Sequence, residues 1–173
     1  MYRRLGFVLV ALIFATNSLA TAGTWSFDKA HSDIGFKVKH LMISNVRGSF
    51  AYFDGTVTYE PGKLSEAQID VTIDVASVNT ANVQRDEHLK SEDFFDVAKF
   101  PKMTFTSKRF EKKADRIKII GDLTLHGVTK EVVLNVEDLT DPIKGPMGNT
   151  RIGATATAKI DRQDFGLTWS KTL

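Results

Sequence analysis

Regular alternation of apolar and polar residues runs through much of this chain and constrains its fold more than any other feature. Ile34, Phe36 and Val38 occupy alternate positions of a segment whose intervening residues are mostly polar. The same pattern returns at residues 68–75 and 131–137. Successive side chains of a β-strand point to opposite faces, so each segment is predicted to be a strand with one apolar face.

The remaining strands are predicted from the same pattern and from the turn residues between them. They cover residues 46–59, 102–110, 116–125 and 151–161. The first of these contains Gly48 and Gly55, so we expect it to bend or break at a glycine. About seven or eight strands in hairpin order favour an all-β antiparallel barrel, with an open sandwich as the alternative.

One segment interrupts this β pattern. Residues 81–91 lack alternation and carry several polar side chains, which favours a short helix that forms a crossover or a lid. The loop at residues 141–149 is a second candidate lid. The sequence does not indicate which of the two segments is the lid.

The N-terminus has the composition of a cleavable export signal. Two arginines precede an apolar run of 11 residues from Leu5 to Ala15, and small residues lead to Ala22. A bilayer-spanning helix needs about 20 apolar residues, so the run is too short for a stable membrane anchor. We therefore predict a signal peptide at residues 1–22, a single domain at residues 23–173, and a soluble protein in the periplasm.

The composition excludes several classes of function. The chain contains no cysteine, which removes disulfides, thiol catalysis and cysteine-ligated zinc. Outside the predicted signal, the basic residues are balanced in number by the 21 acidic residues. A nucleic-acid-binding protein usually carries a basic stripe, so no nucleic-acid partner is expected.

The four histidines do not form a recognisable catalytic or metal-binding motif. They are His31, His40, His88 and His126, and no pair has the spacing of a zinc-binding unit. His31, Ser32 and Asp33 supply the residue types of a hydrolase triad, but neighbouring strand residues point to opposite faces. We predict no catalytic residues and no metal, and keep a small periplasmic hydrolase or metal-dependent enzyme using these histidines as the alternative.

Aromatic residues are concentrated after the predicted helix. Phe94, Phe95, Phe100 and Phe105 lie close together in the sequence, which suggests both a plug for one end of the sheet and the lining of an apolar pocket. The last clear strand carries Ala154, Ala156 and Ala158 at alternate positions. Such small side chains leave room either for large neighbours or for a cavity, and the sequence does not decide between them.

The order of motifs along the chain resembles the YceI-like, polyisoprenoid-binding family of exported bacterial proteins. The resemblance covers nearly all of residues 24–169. The matching motifs are Trp25-Ser26-Phe27-Asp28, His31-Ser32, Phe36-x-Val38-x-His40, Val46-x-Gly48-x-Phe50, Phe53-x-Gly55, Asp86-x-His88-Leu89, Phe94-Phe95-Asp96, Phe100-Pro101, Phe105-x-Ser107, Gly121-x-Leu123-Thr124-x-His126-Gly127 and Asp164-Phe165-Gly166.

This resemblance implies a lipocalin-like barrel that holds an apolar chain-like lipid, without catalysis or cofactor. The lipid would be a polyisoprenoid, an isoprenoid quinone or a fatty-acid derivative. We expect the inward apolar positions to line the site: Phe36, Val38, Phe50, Val71, Ile73, Phe94, Phe95, Phe105, Leu123, Leu134 and Ala156. The candidates for a polar contact are His31, His40, Asp86, His88 and His126.

The sequence departs from the family pattern at the C-terminus. Family members continue past the Asp-Phe-Gly-Leu segment with a further strand, whereas this sequence stops at Leu173. The expected barrel would then lack its final strand and expose two unpaired edges. A neighbouring copy in a homodimer would cover such edges.

Overall fold

The computed structural model describes residues 5–16, 23–40, 43–146 and 148–170, which form mostly antiparallel β structure. Within these residues there are twelve strands and one α-helix, joined in places by single turns of 3₁₀ helix. The strands are β1 (Leu5–Thr16), β2 (Gly23–Phe27), β3 (Asp33–His40), β4 (Ser44–Phe50), β5 (Phe53–Tyr59), β6 (Gln68–Asp74), β7 (Val78–Asn79), β8 (Lys102–Lys113), β9 (Arg116–Leu125), β10 (Val128–Glu137), β11 (Ile143–Lys144) and β12 (Thr150–Ile160). The helix α1 spans Val83–Lys90.

The described strands pair in one sheet with the order β11-β12-β10-β9-β8-β6-β5-β2-β1-β3-β4-β7. All of the pairings are antiparallel, as hairpin connections require. Strand β1 also pairs with β12, from Leu5 opposite Ile160 to Thr16 opposite Thr150. On its other side it pairs with β3 and, near its end, with β2.

The buried faces of the strands follow the alternation seen in the sequence. In β6, Ile69, Val71 and Ile73 are buried, and Gln68, Asp70 and Thr72 between them are exposed. The buried faces contribute to one hydrophobic cluster. Burial of this apolar surface is the main stabilising contribution to the fold.

The predicted strand at residues 46–59 does break, but the break is not at a glycine. Strands β4 and β5 are separated by Ala51 and Tyr52, while both glycines lie inside the strands. A Cβ atom on Gly48 would lie 2.4 Å from the Phe36 ring. A Cβ atom on Gly55 would lie 2.1 Å from a backbone oxygen of Asp70. These glycines therefore allow close packing within the sheet.

Helix α1 confirms the short helix predicted at residues 81–91, and its first turn is fixed by polar contacts. The side chain of Asn82 caps it by accepting a hydrogen bond of 2.9 Å from the backbone N–H of Arg85. Thr80 is buried and donates from its backbone and its hydroxyl to one carboxylate oxygen of Asp86. Arg85 in turn donates to the hydroxyl and carbonyl oxygens of Thr80.

The structure confirms a mostly antiparallel β fold with one helix, while a closed barrel stays a prediction. The apolar run of the predicted signal forms the 12-residue strand β1, where the alternation pattern predicted no strand. Cleavage of residues 1–22 is likewise a prediction. None of the described helices has the length and apolar character needed to cross a membrane.

Candidate functional site: an apolar pocket at one end of the sheet

An apolar pocket opens where several strands begin or end, and its cavity volume is about 60 Å³. This volume is below the roughly 300–1,000 Å³ of typical small-molecule sites, so the pocket in this conformation accommodates only part of a long apolar chain. Its lining is apolar apart from the phenol of one tyrosine. The lining residues are Trp25, Val57, Tyr59, Leu64, Ala67, Ile69, Phe110, Ile117, Ile119, Val136, Leu139, Ile152, Ala154 and Ala156.

The lining residues range from fully buried to partly exposed side chains. Ile152 is 1% exposed and Ile119 is 4% exposed. Phe110 and Ile117, on the two strands of the β8–β9 hairpin, are partly exposed. The pocket therefore extends from the hydrophobic core towards solvent.

Trp25 contributes a large apolar surface without leaving a polar atom in the pocket unsatisfied. Its indole N–H donates a hydrogen bond of 2.9 Å to the carbonyl oxygen of Tyr59. A buried N–H group without a partner would cost free energy and would favour a polar ligand. With this bond made, the indole offers its ring to an apolar ligand.

Small residues on β12 create part of the space. Ala154 and Ala156 lie on the same face of this strand and line the pocket. The sequence left open whether these alanines accommodate large neighbours or border a cavity. At these two positions they border the pocket.

The segment that follows β10 contributes one described residue to the pocket lining, and a lid at residues 141–149 stays a prediction. Leu139 lines the pocket and is 37% exposed. The next residue, Thr140, is held to Gly153 by two hydrogen bonds, one from its backbone N–H at 2.8 Å and one to its hydroxyl at 2.9 Å. This double contact fixes the start of the segment to β12.

Most of the apolar residues predicted to line the site are in the hydrophobic core. The buried members are Phe36, Phe50, Val71, Ile73, Phe95, Phe105, Leu123, Leu134 and Ala156. Val38 is partly buried against the same core. Of the predicted apolar residues, Ala156 lines the pocket described above. Several other lining residues, including Trp25 and Phe110, were not predicted.

Phe94 lies elsewhere, in an aromatic and polar cluster next to α1. The ring centroids of His88 and Phe94 are 5.0 Å apart, and those of His88 and Trp169 are 4.9 Å apart. Nε2 of His88 lies 2.9 Å from a carboxylate oxygen of Asp93. Buried Arg162 donates to the backbone carbonyl oxygens of Leu167 and Trp169, so it fixes the segment that carries the tryptophan.

The other polar candidates are separate from this cluster. His126 is at a hairpin turn and packs on Phe100, with ring centroids 4.5 Å apart. Asp86 accepts the two hydrogen bonds from Thr80. His40 ends β3, and its side chain is outside the described part of the structure. Among the described residues, no group of three or more potential ligands is arranged to hold a metal ion.

His31 belongs to a charged group centred on Asp28. Nδ1 of His31 lies 3.0 Å from a carboxylate oxygen of Asp28, and Arg151 forms an ion pair of 3.3 Å with the same oxygen. The hydrogen bond from His31, the backbone N–H of Ala30 and the nearby charges hold the pKa of Asp28 below its ordinary value of 3.8. The carboxylate therefore connects the turn before β3 to the start of β12.

Replacement of Asp28 by asparagine is expected to make the stability of the fold less sensitive to acid. A carboxylate whose pKa is lowered by folding contributes stability above its unfolded pKa, and that contribution is lost as pH falls through the folded pKa. The wild-type protein should exceed Asp28→Asn in melting temperature at pH 5–7, and the difference should shrink below about pH 4. A constant difference across this range would contradict the assignment.

Comparisons with known proteins agree on one family. A family model described as the YceI-like domain matches residues 25–173. Protein YceI of Salmonella newport strain SL254 is 42% identical over 166 residues, which cover 95% of this chain and 86% of that protein. The crystal structure of the Campylobacter jejuni YceI protein has a TM-score of 0.67 at 42% identity, covering 87% of this chain and 85% of that one. Burkholderia cenocepacia BcnA, at 23% identity, shares the fold with a TM-score of 0.63 over 76% of this chain and 98% of its own.

Proposed function

Because this chain belongs to the YceI-like family, we propose that it is a binding protein for a long apolar lipid, which it holds inside a barrel-like sheet. The observation that carries the proposal is the pocket whose lining is apolar apart from one phenol. Removal of a hydrocarbon chain from water contributes about 0.8 kcal/mol per buried methylene group. A polyisoprenoid, an isoprenoid quinone and a fatty-acid derivative all present such a chain.

The pocket supports loose specificity among these lipids. Its lining offers few polar groups for recognition of a ligand, since the indole N–H of Trp25 is already bonded to Tyr59. An apolar site discriminates poorly between chains that differ by one methylene, because about 0.8 kcal/mol corresponds to only about a fourfold difference in affinity. We expect the length and width of the chain to matter more than its head group.

The binding role is supported over the alternative enzymatic one by the placement of the histidines. The lining contains no histidine, no acid and no hydroxyl nucleophile other than the phenol of Tyr59. His31, His88 and His126 have contacts outside this pocket. General acid-base chemistry needs such groups within hydrogen-bonding reach of the reacting atom.

The barrel and the export signal belong to the same proposal. Strand β1 pairs with β12 on one side and with β2 and β3 on the other, so barrel-like closure of the sheet in the full chain depends on this strand. The same strand lies within the leader that we propose directs export to the periplasm. Its removal would leave backbone donors and acceptors of β12 and β3 without these partners, and such edges readily accept another strand.

Native mass spectrometry of the purified protein tests the binding proposal. We expect a mass excess of several hundred daltons that disappears after extraction with organic solvent, and a hydrophobic molecule in the extract. A protein that carries no such molecule and takes up none from added lipid would contradict the proposal. Stoichiometric zinc in that ligand-free protein would support the enzymatic alternative.

A further inference from the structure

The β3–β4 hairpin is a basic surface in an otherwise charge-balanced domain. Between Ile34 and Phe53 the sequence contains no aspartate or glutamate, although the whole chain has 21 of them. The same stretch contains Lys37, Lys39 and Arg47, and all three are exposed.

The basic residues are placed on one face of the hairpin. Lys37 lies directly opposite Arg47 in the register of β3 and β4, and Lys39 lies opposite Asn45. Residues that are directly opposite in an antiparallel pair project to the same face. Like charges in this arrangement destabilise a sheet. Within the described part of the chain, no ion pair with an acidic residue compensates either charge of the Lys37–Arg47 pair.

An apolar side chain projects from the start of β4. Ile43, which immediately precedes this strand, is 85% exposed, the highest value among the large apolar residues described. Ile43 therefore adds exposed hydrocarbon to the same hairpin that carries the three basic residues. This combination is typical of segments that lie at the interface of an anionic membrane.

A cleft beside the hairpin is lined by two arginines, one from the hairpin and one from α1. It runs between β4 and the start of α1, is open to solvent and has a volume of about 620 Å³. Arg47 lines one side and Arg85 the other, and the lining includes Asn45 and Ser49 but no acidic residue. The guanidinium of Arg85 is held in place by its hydrogen bonds to Thr80. Two guanidinium groups that line the same cleft, one of them fixed, suit a phosphate group.

We propose that the β3–β4 hairpin docks the protein on an anionic lipid bilayer. Ile43 enters the interfacial layer, Lys37 and Lys39 contact head groups, and Arg47 with Arg85 receives a lipid phosphate in the cleft. This surface does not overlap the residues that line the apolar pocket. Docking can therefore be measured independently of lipid binding in the pocket.

Vesicle cosedimentation tests the charge component of docking. The wild-type protein should bind vesicles that contain about one third phosphatidylglycerol, with little binding to pure phosphatidylcholine and a loss of binding at high salt. The triple variant Lys37→Gln, Lys39→Gln, Arg47→Gln should bind about 100-fold more weakly, from about fivefold per residue. Its melting temperature should be unchanged or higher, because like charges have been removed.

A matched variant separates docking from overall charge. The control is the triple variant Lys112→Gln, Lys113→Gln, Arg116→Gln, which removes the same charge from the β8–β9 hairpin. These three residues are also exposed. This control should retain vesicle binding to within about threefold. Equal losses in the two triple variants, unchanged binding of the β3–β4 variant, or equal binding to neutral vesicles would overturn the proposal.

A labelled cysteine tests the apolar component without removing any charge. The chain contains no cysteine, so Ile43→Cys provides a single site for an environment-sensitive dye. The dye emission should shift to the blue with anionic vesicles, whereas the same dye on Asp115→Cys, in the β8–β9 turn, should not respond. A response at residue 115 without one at residue 43 would overturn the proposal.

Discussion

Replacement of Ala154 by phenylalanine is expected to weaken lipid binding about 50-fold. Ala154 lines the pocket, and its small side chain contributes to the space available. A phenyl ring at this position would displace about three methylene groups of a bound chain, each worth about 0.8 kcal/mol, and about 1.4 kcal/mol corresponds to a factor of ten. Titration with a fatty acid or an isoprenoid alcohol, monitored by tryptophan fluorescence, measures the change.

The control for this substitution is Thr155→Phe. Thr155 is the next residue of β12 and projects to the opposite face, so the same ring is added without entering the pocket. Its affinity should stay within about threefold of the wild-type value. Similar losses in the two variants would show that the ring acts through the strand rather than by filling the pocket.

Replacement of Phe50 by alanine is expected to lower the free energy of unfolding by about 4 kcal/mol. Phe50 is 2% exposed, and its ring centroid lies 5.6 Å from that of Phe36 and 5.9 Å from that of Phe95. The substitution removes these contacts and leaves a cavity in a packed core. For a domain of this size we expect a melting temperature about 12 °C lower, as measured by circular dichroism.

Tyr52→Ala is the matched control for Phe50→Ala. Tyr52 is an aromatic residue two positions away, but it is 71% exposed, so its loss should cost less than about 0.5 kcal/mol. Phe50 was also among the residues that the sequence predicted to line the lipid site. A Phe50→Ala protein that keeps its stability and loses lipid binding would contradict the structural role assigned to this residue.

The secondary structure could be predicted well where the alternation is strong. The strand predicted at residues 116–125 is β9 with the same bounds, and the predicted helix contains α1 within two residues of its start. The local sequence is sufficient to predict such segments, because the two-residue period of a strand is visible in the order of its apolar and polar residues. Faces of β6 were predicted correctly for the same reason.

The break between β4 and β5 could not be predicted from glycine alone. Gly48 and Gly55 are required by close contacts with Phe36 and with the backbone of Asp70, and those partners are distant in sequence. Glycine has two uses in a strand, to bend it and to admit a close neighbour. The sequence does not distinguish these uses without the pairing of the strands.

The pocket residues were missed mainly because the pocket forms where strand ends from different parts of the chain meet. The register of β8 and β9 shifts between Ser107 and Arg109, and Phe110 lines the pocket beyond this irregularity. A constant two-residue period continued from Phe105 would instead have placed residue 109 on the inner face. Ile69 was detectable, since it continues the buried face of Val71 and Ile73.

Quenching of tryptophan fluorescence by a brominated fatty acid tests the central claim, a lipid site in the apolar pocket, most directly. The chain has two tryptophans: Trp25 lines the pocket, whereas Trp169 packs with His88 and Phe94. We predict saturable quenching in the Trp169→Phe variant, where Trp25 reports, and little in Trp25→Phe, where Trp169 reports. Quenching of Trp169 alone, or no quenching of either residue, would contradict a lipid site in this pocket.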